Sequence, residues 1–344
     1  MSLTPLRTHF LWVDLLRSIA ILGVVTVHVT SPYLLNWEMP LSDQWLIANL
    51  IDSFGRMGVP LFFLLSGYLL LGTNRTKDVD SFYLRRWQKI GWLWLGWGFL
   101  HVWYLYFNHR QGWQWSVLIT GFWFVPQILT VYFLTPFIEK WLENQRLVHA
   151  WMWVLLLFLA GSLLVQGAVW TYHEPYLPYL HLLPYVGLFI AGALVRNTKR
   201  RIHFYYLVSV WTFCYLVTVI GTTLTSSFRQ GFNSLFYEYA SLNVIGMSLT
   251  FFMMISHQEA LFISWKKEWP GVVKIATYIG KNSYHLFLSH TLVLLLLTDY
   301  WASWSGGFSS VVPIDVVIKV VLVVGLSSVV IEVQKYLVRR VRVW

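Results

Sequence analysis

The residues best suited to chemistry sit in one apolar stretch near the N-terminus, Phe10 to Thr30, where Asp14, Arg17 and His28 interrupt Leu, Ile, Val and Ala. Histidine has an ordinary pKa near 6.5, so it can take a proton from a hydroxyl at neutral pH, as a general base in acyl transfer must. Arg17 and His28 are eleven positions apart, which on a helix places them on one face, about 16 Å apart along the axis. Asp14 lies one turn before Arg17 and can pair with it. An ionisable group at the centre of an apolar span costs about 2.5–3.5 kcal/mol on insertion scales, so all three must face protein or water. On this helix alone two readings are open. One is a reactive set; the other is an ion pair reaching the interface plus a hydrogen-bonded core histidine.

Other charged residues carry less information. Asp52 and Arg56 stand four apart in the second apolar run, and Asp315 and Lys319 repeat that spacing in the last one; helix pairing accounts for either. The block Arg85, Arg86 and Lys89 opens the third run. It can clamp phosphate or simply fix orientation, and on the residues alone orientation is the plainer reading. No Gly-rich nucleotide loop, HExxH, GxSxG elbow or paired sugar-hydrolase carboxylates occur in a plausible context. The single cysteine, Cys214, lies in an apolar run, so no disulfide, Cys-based metal site or thiol nucleophile is expected. Chemistry therefore rests on His, Arg and Asp in helices, with no metal.

The elements that must position them are membrane spans. The 344 residues are 57% hydrophobic and 12% charged, with mean hydropathy +0.57, against about 25% charged in a soluble domain. Ten runs near the ~20 residues that a ~30 Å hydrocarbon core requires can be drawn, at about 10–31, 46–72, 88–108, 116–138, 149–170, 181–196, 203–224, 236–256, 275–298 and 313–336. The second holds Pro60 and is expected to break near it. The expectation is an all-α polytopic membrane protein, one domain over residues 1–344, with a longer connection only at about 257–274. No signal-peptide cleavage site is evident, so the first run is read as a retained span.

Net charge is +10, but the basic residues come in short blocks between apolar runs, which argues for orientation and against nucleic acid. Arg7, Arg75, Lys77, Arg85, Arg86, Lys89, Lys140, Arg146, Arg196, Lys199, Arg200, Arg201, Lys266, Lys267, Lys274, Lys335, Arg339, Arg340 and Arg342 fall on one side, and only Arg110 and Arg229 on the other. Both termini are thus expected in the cytoplasm. His28 and His290 then reach comparable depths, Arg56 sits near mid-membrane, and Arg17 lies closer to the cytoplasm. The picture is a polar shaft with a basic inner mouth.

Asp14-Leu-Leu-Arg17, followed by ten residues and then His28, resembles the first-helix signature of the integral membrane acyltransferase 3 family. The likeness continues through Gly58-Val-Pro-Leu-Phe-Phe-Leu-Leu-Ser66-Gly67-Tyr68, Phe82-Tyr-Leu-Arg85-Arg86, Trp123-Phe124 with Tyr132 and Pro136, and Ser283-Tyr284 ahead of His290. Where family members often carry a His before the Trp-Phe pair, this chain has Gly121, and the third-span basic pair reads Arg86 and Lys89. Within the family the chain looks most like the branch that O-acetylates polysaccharide repeat units such as enterobacterial common antigen.

The resemblance implies a multi-pass protein of the cell membrane, the inner or plasma membrane, that moves an acetyl or other acyl group to a hydroxyl of a cell-surface glycan or lipid-linked sugar. Acetyl-CoA is the implied donor substrate, with no bound cofactor. CoA phosphates would rest on Arg85, Arg86 and Lys89. His28 would deprotonate the acceptor, or carry the acetyl group, with Asp14 and Arg17 holding position and charge; Arg56, on its depth alone, is the candidate for stabilising the oxyanion. Ser66, Tyr68, Trp123, Tyr284 and His290 would line the substrate path. The competing class is a transporter or flippase of a lipid-linked sugar, although no repeated halves stand out.

Overall fold

The computed structural model describes residues 11–35, 41–73, 76–108, 116–172, 178–198, 202–256, 258–301 and 307–341. Of the expected orientation charges, Arg7, Arg75, Arg110, Lys199, Arg200, Arg201 and Arg342 lie outside them, as does Phe10. Every element among the described residues is helical. Five helical segments are long and apolar enough to cross a membrane: Leu11–Leu34, Asp43–Leu70, Leu147–Thr171, Phe204–Arg229 and Val312–Arg340.

The first of these, α1 (Leu11–Leu34), is the central element. Its most apolar window is 67% buried, against 28% for the helix Phe204–Arg229. The latter turns Phe213, Ile220 and Leu224 outward, as a helix facing lipid tails does. The chief core joins Leu16 and Ile21 of α1 to Leu61 and Phe63, to Val125 and Val131, to Leu188 and Phe189, and to Leu288.

The second expected span is two helices, α2 (Asp43–Gly55) and α3 (Gly58–Leu70). Ser42 caps the first by accepting from the Trp45 amide at 3.2 Å. The break falls at Arg56–Met57, ahead of the expected Pro60. Pro60 sits in the first turn of α3, where an amide has no helical partner to lose. Close packing explains the position of the break. A Cβ on Gly58 would stand 2.5 Å from the Ala20 carbonyl oxygen, and one on Gly55 would stand 2.9 Å from that of Gly23, so α1 presses directly against the interruption.

The helical stretch over the third expected span is longer than expected. It starts at α4 (Val79–Arg86), continues through a π-helical turn at Trp87–Gly91, and runs on as α5 (Trp92–Asn108). Asp78 caps α4, and the Ser81 amide and hydroxyl that bond it hold its carboxyl below the usual range. The π turn is the kind of irregularity that often marks a functional position. The fourth expected span is also interrupted. A single turn, α6 (Val117–Thr120), gives way at residues 121–123 to α7 (Phe124–Glu143).

α8 (Leu147–Tyr172), α9 (Leu182–Asn197) and α10 (Phe204–Arg229) follow, then the shorter α11 (Leu242–Ser256). A Cβ on Gly67 of α3 would sit 1.6 Å from the Phe189 carbonyl oxygen of α9, the backbone-to-backbone approach that small residues permit between membrane helices. The expected long connection at 257–274 is largely helix, as α12 (Glu259–Glu268) and α13 (Pro270–Lys281). The helix over the ninth expected span accordingly begins at Ser283, as α14 (Ser283–Tyr300), and the last described helix is α15 (Val312–Val341). Asp315 and Lys319 form the expected helix pair at 2.8 Å, and Tyr33 donates to the same carboxylate, tying α15 to α1.

Candidate active site

Two cavities lie on either side of a cluster of aromatic rings. The larger, about 560 Å³, is lined by Arg17 of α1, Ser66 of α3, Arg86 and Lys89 of the π-turn region, Tyr132 of α7 and Tyr284 of α14. The smaller, about 250 Å³, is lined by His28, Arg56, Trp123, His181, Glu238 and Tyr239, among others.

The basic cavity gathers cations from distant parts of the chain. Arg17 stands 3.5 Å from Asp14, which is buried. Arg86 lies over the rings of Phe82 and Tyr132, at 5.4 Å and 5.5 Å, and Lys89 is exposed. The π turn contributes more than the lysine, because the Tyr284 hydroxyl donates to the Ile90 carbonyl at 2.9 Å and so holds α14 against it. Ser66 and Tyr132 are hydrogen-bonded through their hydroxyls at 3.0 Å. Cations from α1, α4 and the π turn around a cavity of this size suit a polyanion with an elongated tail.

Two expected residues lie elsewhere. Arg85, one position from Arg86, is exposed and absent from the lining of this cavity. A one-residue step on a helix turns a side chain by about 100°, so both arginines cannot serve one cavity from this element. Tyr68 packs its ring edge-on against Trp12 and Phe252, and its carbonyl accepts from Arg196.

The smaller cavity holds the histidine. His28 is exposed to it. Its Nδ1 lies 2.9 Å from the Val24 carbonyl oxygen. A carbonyl can only accept, so Nδ1 carries the hydrogen of the neutral ring and Nε2 keeps its lone pair, the form a general base needs. Arg56, at the break between α2 and α3, donates from Nε to Asp52 at 2.6 Å. Thr30 of α1 donates to the other oxygen of that carboxylate at 2.6 Å. The guanidinium lies 4.3 Å from the Tyr237 ring centre and 5.7 Å from that of Tyr239. Arg56 is thus both a member of a buried helix pair and part of the cavity wall.

His290 belongs to neither lining. It is buried, with its ring edge-on to His28 at 5.0 Å and 5.6 Å from Phe287. Its Nδ1 donates to the Phe287 carbonyl at 2.6 Å, and its Nε2 has no hydrogen-bond partner among the described residues. Phe287 in turn contacts Phe124 at 4.9 Å, and Phe124 contacts Phe62 at 5.8 Å; all three phenyl rings line the basic cavity. The expected continuous shaft is therefore two chambers with a partition of phenyl rings and one imidazole between them. Trp123 and Phe124 are neighbours in sequence but face different chambers.

The sequence reading missed two residues here. His181 donates from Nε2 to Glu238 at 3.0 Å, and both are buried. They are 57 positions apart, so no local spacing links them. Only the four-residue step from Ser234 to Glu238, whose side chains bond at 2.7 Å, was visible in the sequence.

Chemically, the arrangement offers a base with a free lone pair, a fixed cation beside it, and a separate cationic chamber behind a thin apolar wall. Among the described residues no group of three or more His, Cys, Asp or Glu is placed to hold a metal ion. No curated protein and no solved structure matches the chain. A family model does, however: that of the acyltransferase domain, type 3, over residues 10–332. With nearly its whole length matched, and with apolar helices able to cross a bilayer, the chain belongs to the acyltransferase 3 family of membrane acyltransferases.

Proposed function

We propose that the protein is an O-acetyltransferase of the cell membrane that moves an acetyl group from cytoplasmic acetyl-CoA to a hydroxyl of a cell-surface glycan or lipid-linked sugar. In this reading it crosses the membrane about ten times with both termini inside, and the basic cavity faces the cytoplasm. The observation that carries the reading is the pairing of two chambers across one thin wall, the cationic one fit for CoA phosphates and the other holding His28 with its Nε2 lone pair.

Arg86 and Lys89 hold the phosphates, and the pantetheine arm passes Arg17 and carries the thioester to the wall. Phe124, Phe287 and His290 must shift to let the acetyl group through. Nε2 of His28 takes the proton of the acceptor hydroxyl as its oxygen attacks the thioester carbonyl. The guanidinium of Arg56 stabilises the oxyanion in a site poor in water. The C–S bond then breaks, and the CoA thiolate recovers the proton from the imidazolium. Acetyl ester and free CoA thiol are the products.

Purified protein in nanodiscs should transfer labelled acetyl from acetyl-CoA to glycan, or more slowly to water. The Arg86→Glu, Lys89→Glu variant should raise the KM for acetyl-CoA, and added salt should do the same to the wild type, because charges at a wet mouth are screened. No label released from acetyl-CoA by folded protein would favour a transporter. An unchanged KM in the charge-reversed variant would reduce the two residues to orientation charge.

A further inference from the structure

Glu238 is a buried carboxylate facing a chamber, and acyl transfer as drawn above gives it nothing to do. Its side chain is fully oriented: Oε1 accepts from the Ser234 hydroxyl at 2.7 Å and Oε2 from Nε2 of His181 at 3.0 Å. An ionised carboxylate has about four lone-pair sites, so two such bonds leave capacity for donors coming from the chamber. Burying a carboxylate is costly unless its hydrogen bonds are made. A ligand that brings hydroxyl donors therefore gains most here.

The wall beside it is aromatic, since His181 itself stacks on Tyr185 at 5.8 Å. The Trp123 ring stacks on Tyr185 at 6.3 Å and lies 5.4 Å from Tyr239, tilted by 30°. Tyr185 is itself stacked on Phe63 at 4.3 Å, which fixes the wall. Aromatic faces take up the C–H faces of a saturated ring, and polar edges beside them take up its hydroxyls. At about 250 Å³ the chamber is smaller than the roughly 300–1,000 Å³ of a drug-sized site. Its volume holds one ring at a time.

We infer that Glu238, held by Ser234 and His181, is the anchor that binds a second hydroxyl of a single pyranose unit whose target hydroxyl faces His28. This assignment rests on the acyl-transfer reading and adds to it the residues that select the acceptor. A carboxylate repels phosphate and gains nothing from a fatty alcohol, so the ligand class is a neutral polyhydroxy ring. The anchor also sets which hydroxyl reaches Nε2 of His28, since rotating the ring moves its hydroxyls between the two side chains.

The test offers protein in nanodiscs labelled acetyl-CoA and a panel of octyl pyranosides with gluco, manno, galacto and N-acetylated rings, with cyclohexanol as a ring bearing one hydroxyl. For each, transfer to the alcohol is divided by hydrolysis to acetate. In the wild type at least one pyranoside should give a ratio about tenfold or more above that of cyclohexanol. Glu238→Gln should lower the ratio about tenfold, as expected for losing a hydrogen bond to a charged group, mainly by raising the KM of the glycoside. Ser234→Ala keeps the carboxylate and should lower the ratio less. A variant that is merely misfolded loses transfer and hydrolysis together, leaving the ratio unchanged. An unchanged ratio in Glu238→Gln protein that still hydrolyses acetyl-CoA at the wild-type rate, or equal use of cyclohexanol and pyranosides, overturns the anchor. Absence of both hydrolysis and transfer in the wild type would instead overturn the acyl-transfer reading itself.

Discussion

Replacing His28 with alanine should lower kcat for acetyl transfer by about 10²–10⁴-fold, the usual worth of a general base, with little effect on folding. The second half of that expectation follows from exposure. His28 turns its ring to the smaller chamber and makes one hydrogen bond to its own helix, at Val24. The substitution leaves no buried polar partner stranded and removes little packing. His290 makes the contrast: it is buried against Phe287 with its Nδ1 bonded to carbonyls of its own helix, so its removal opens a cavity and disturbs the wall. Single-turnover assays on both variants, beside their thermal unfolding in detergent, check the distinction. A His28→Ala protein that transfers at near wild-type rate would remove His28 from the chemistry.

Arg56→Ala should be damaging in a different way. Asp52 is wholly buried and holds Arg56 at 2.6 Å. Removing one partner of such a pair typically costs about 3–5 kcal/mol, because the other charge is left uncompensated. Lower unfolding temperature and poor yield are the expected outcome, and lost activity in that variant would say nothing about the oxyanion. The double variant Asp52→Asn, Arg56→Gln removes both charges and keeps hydrogen-bonding groups for Thr30. It should recover most of the stability yet still transfer about 10²–10³-fold more slowly, in the range measured for loss of an oxyanion donor. Recovery of activity along with stability would make Arg56 a structural residue alone.

The helical fold and the Asp14–Arg17 and Asp52–Arg56 pairs were legible because each depends on a short spacing within one helix. The break in the second span was placed at Pro60 because proline is the residue that disrupts helices. The structure puts the break at Arg56–Met57, where Gly55 and Gly58 let α1 approach. A close crossing depends on the partner helix, which local sequence does not show. The start of the ninth span was misjudged for a related reason: α13 is apolar enough on one face to extend the run, yet it is a separate helix ending before Ser283. Arg86 and Arg85 looked equivalent as charge, and only helix rotation separates them. The two-chamber arrangement was out of reach altogether. It rests on contacts between Phe62, Phe124 and Phe287 of three different helices, which in a chain with this much Phe, Tyr and Trp look like any other apolar residues.

The central claim is that the acyl group passes from the basic chamber to the histidine chamber through the protein, while the donor stays on one side. On α1, Arg17 and His28 mark the two chambers, about 16 Å apart along the helix, a distance of the order that an extended pantetheine arm covers. Sealed inside-out vesicles with acceptor glycan only in the lumen, given labelled acetyl-CoA outside, test this directly. The account predicts labelled lumenal glycan with no CoA entering the vesicles. Label appearing only when the acceptor is added on the same side as acetyl-CoA would contradict it.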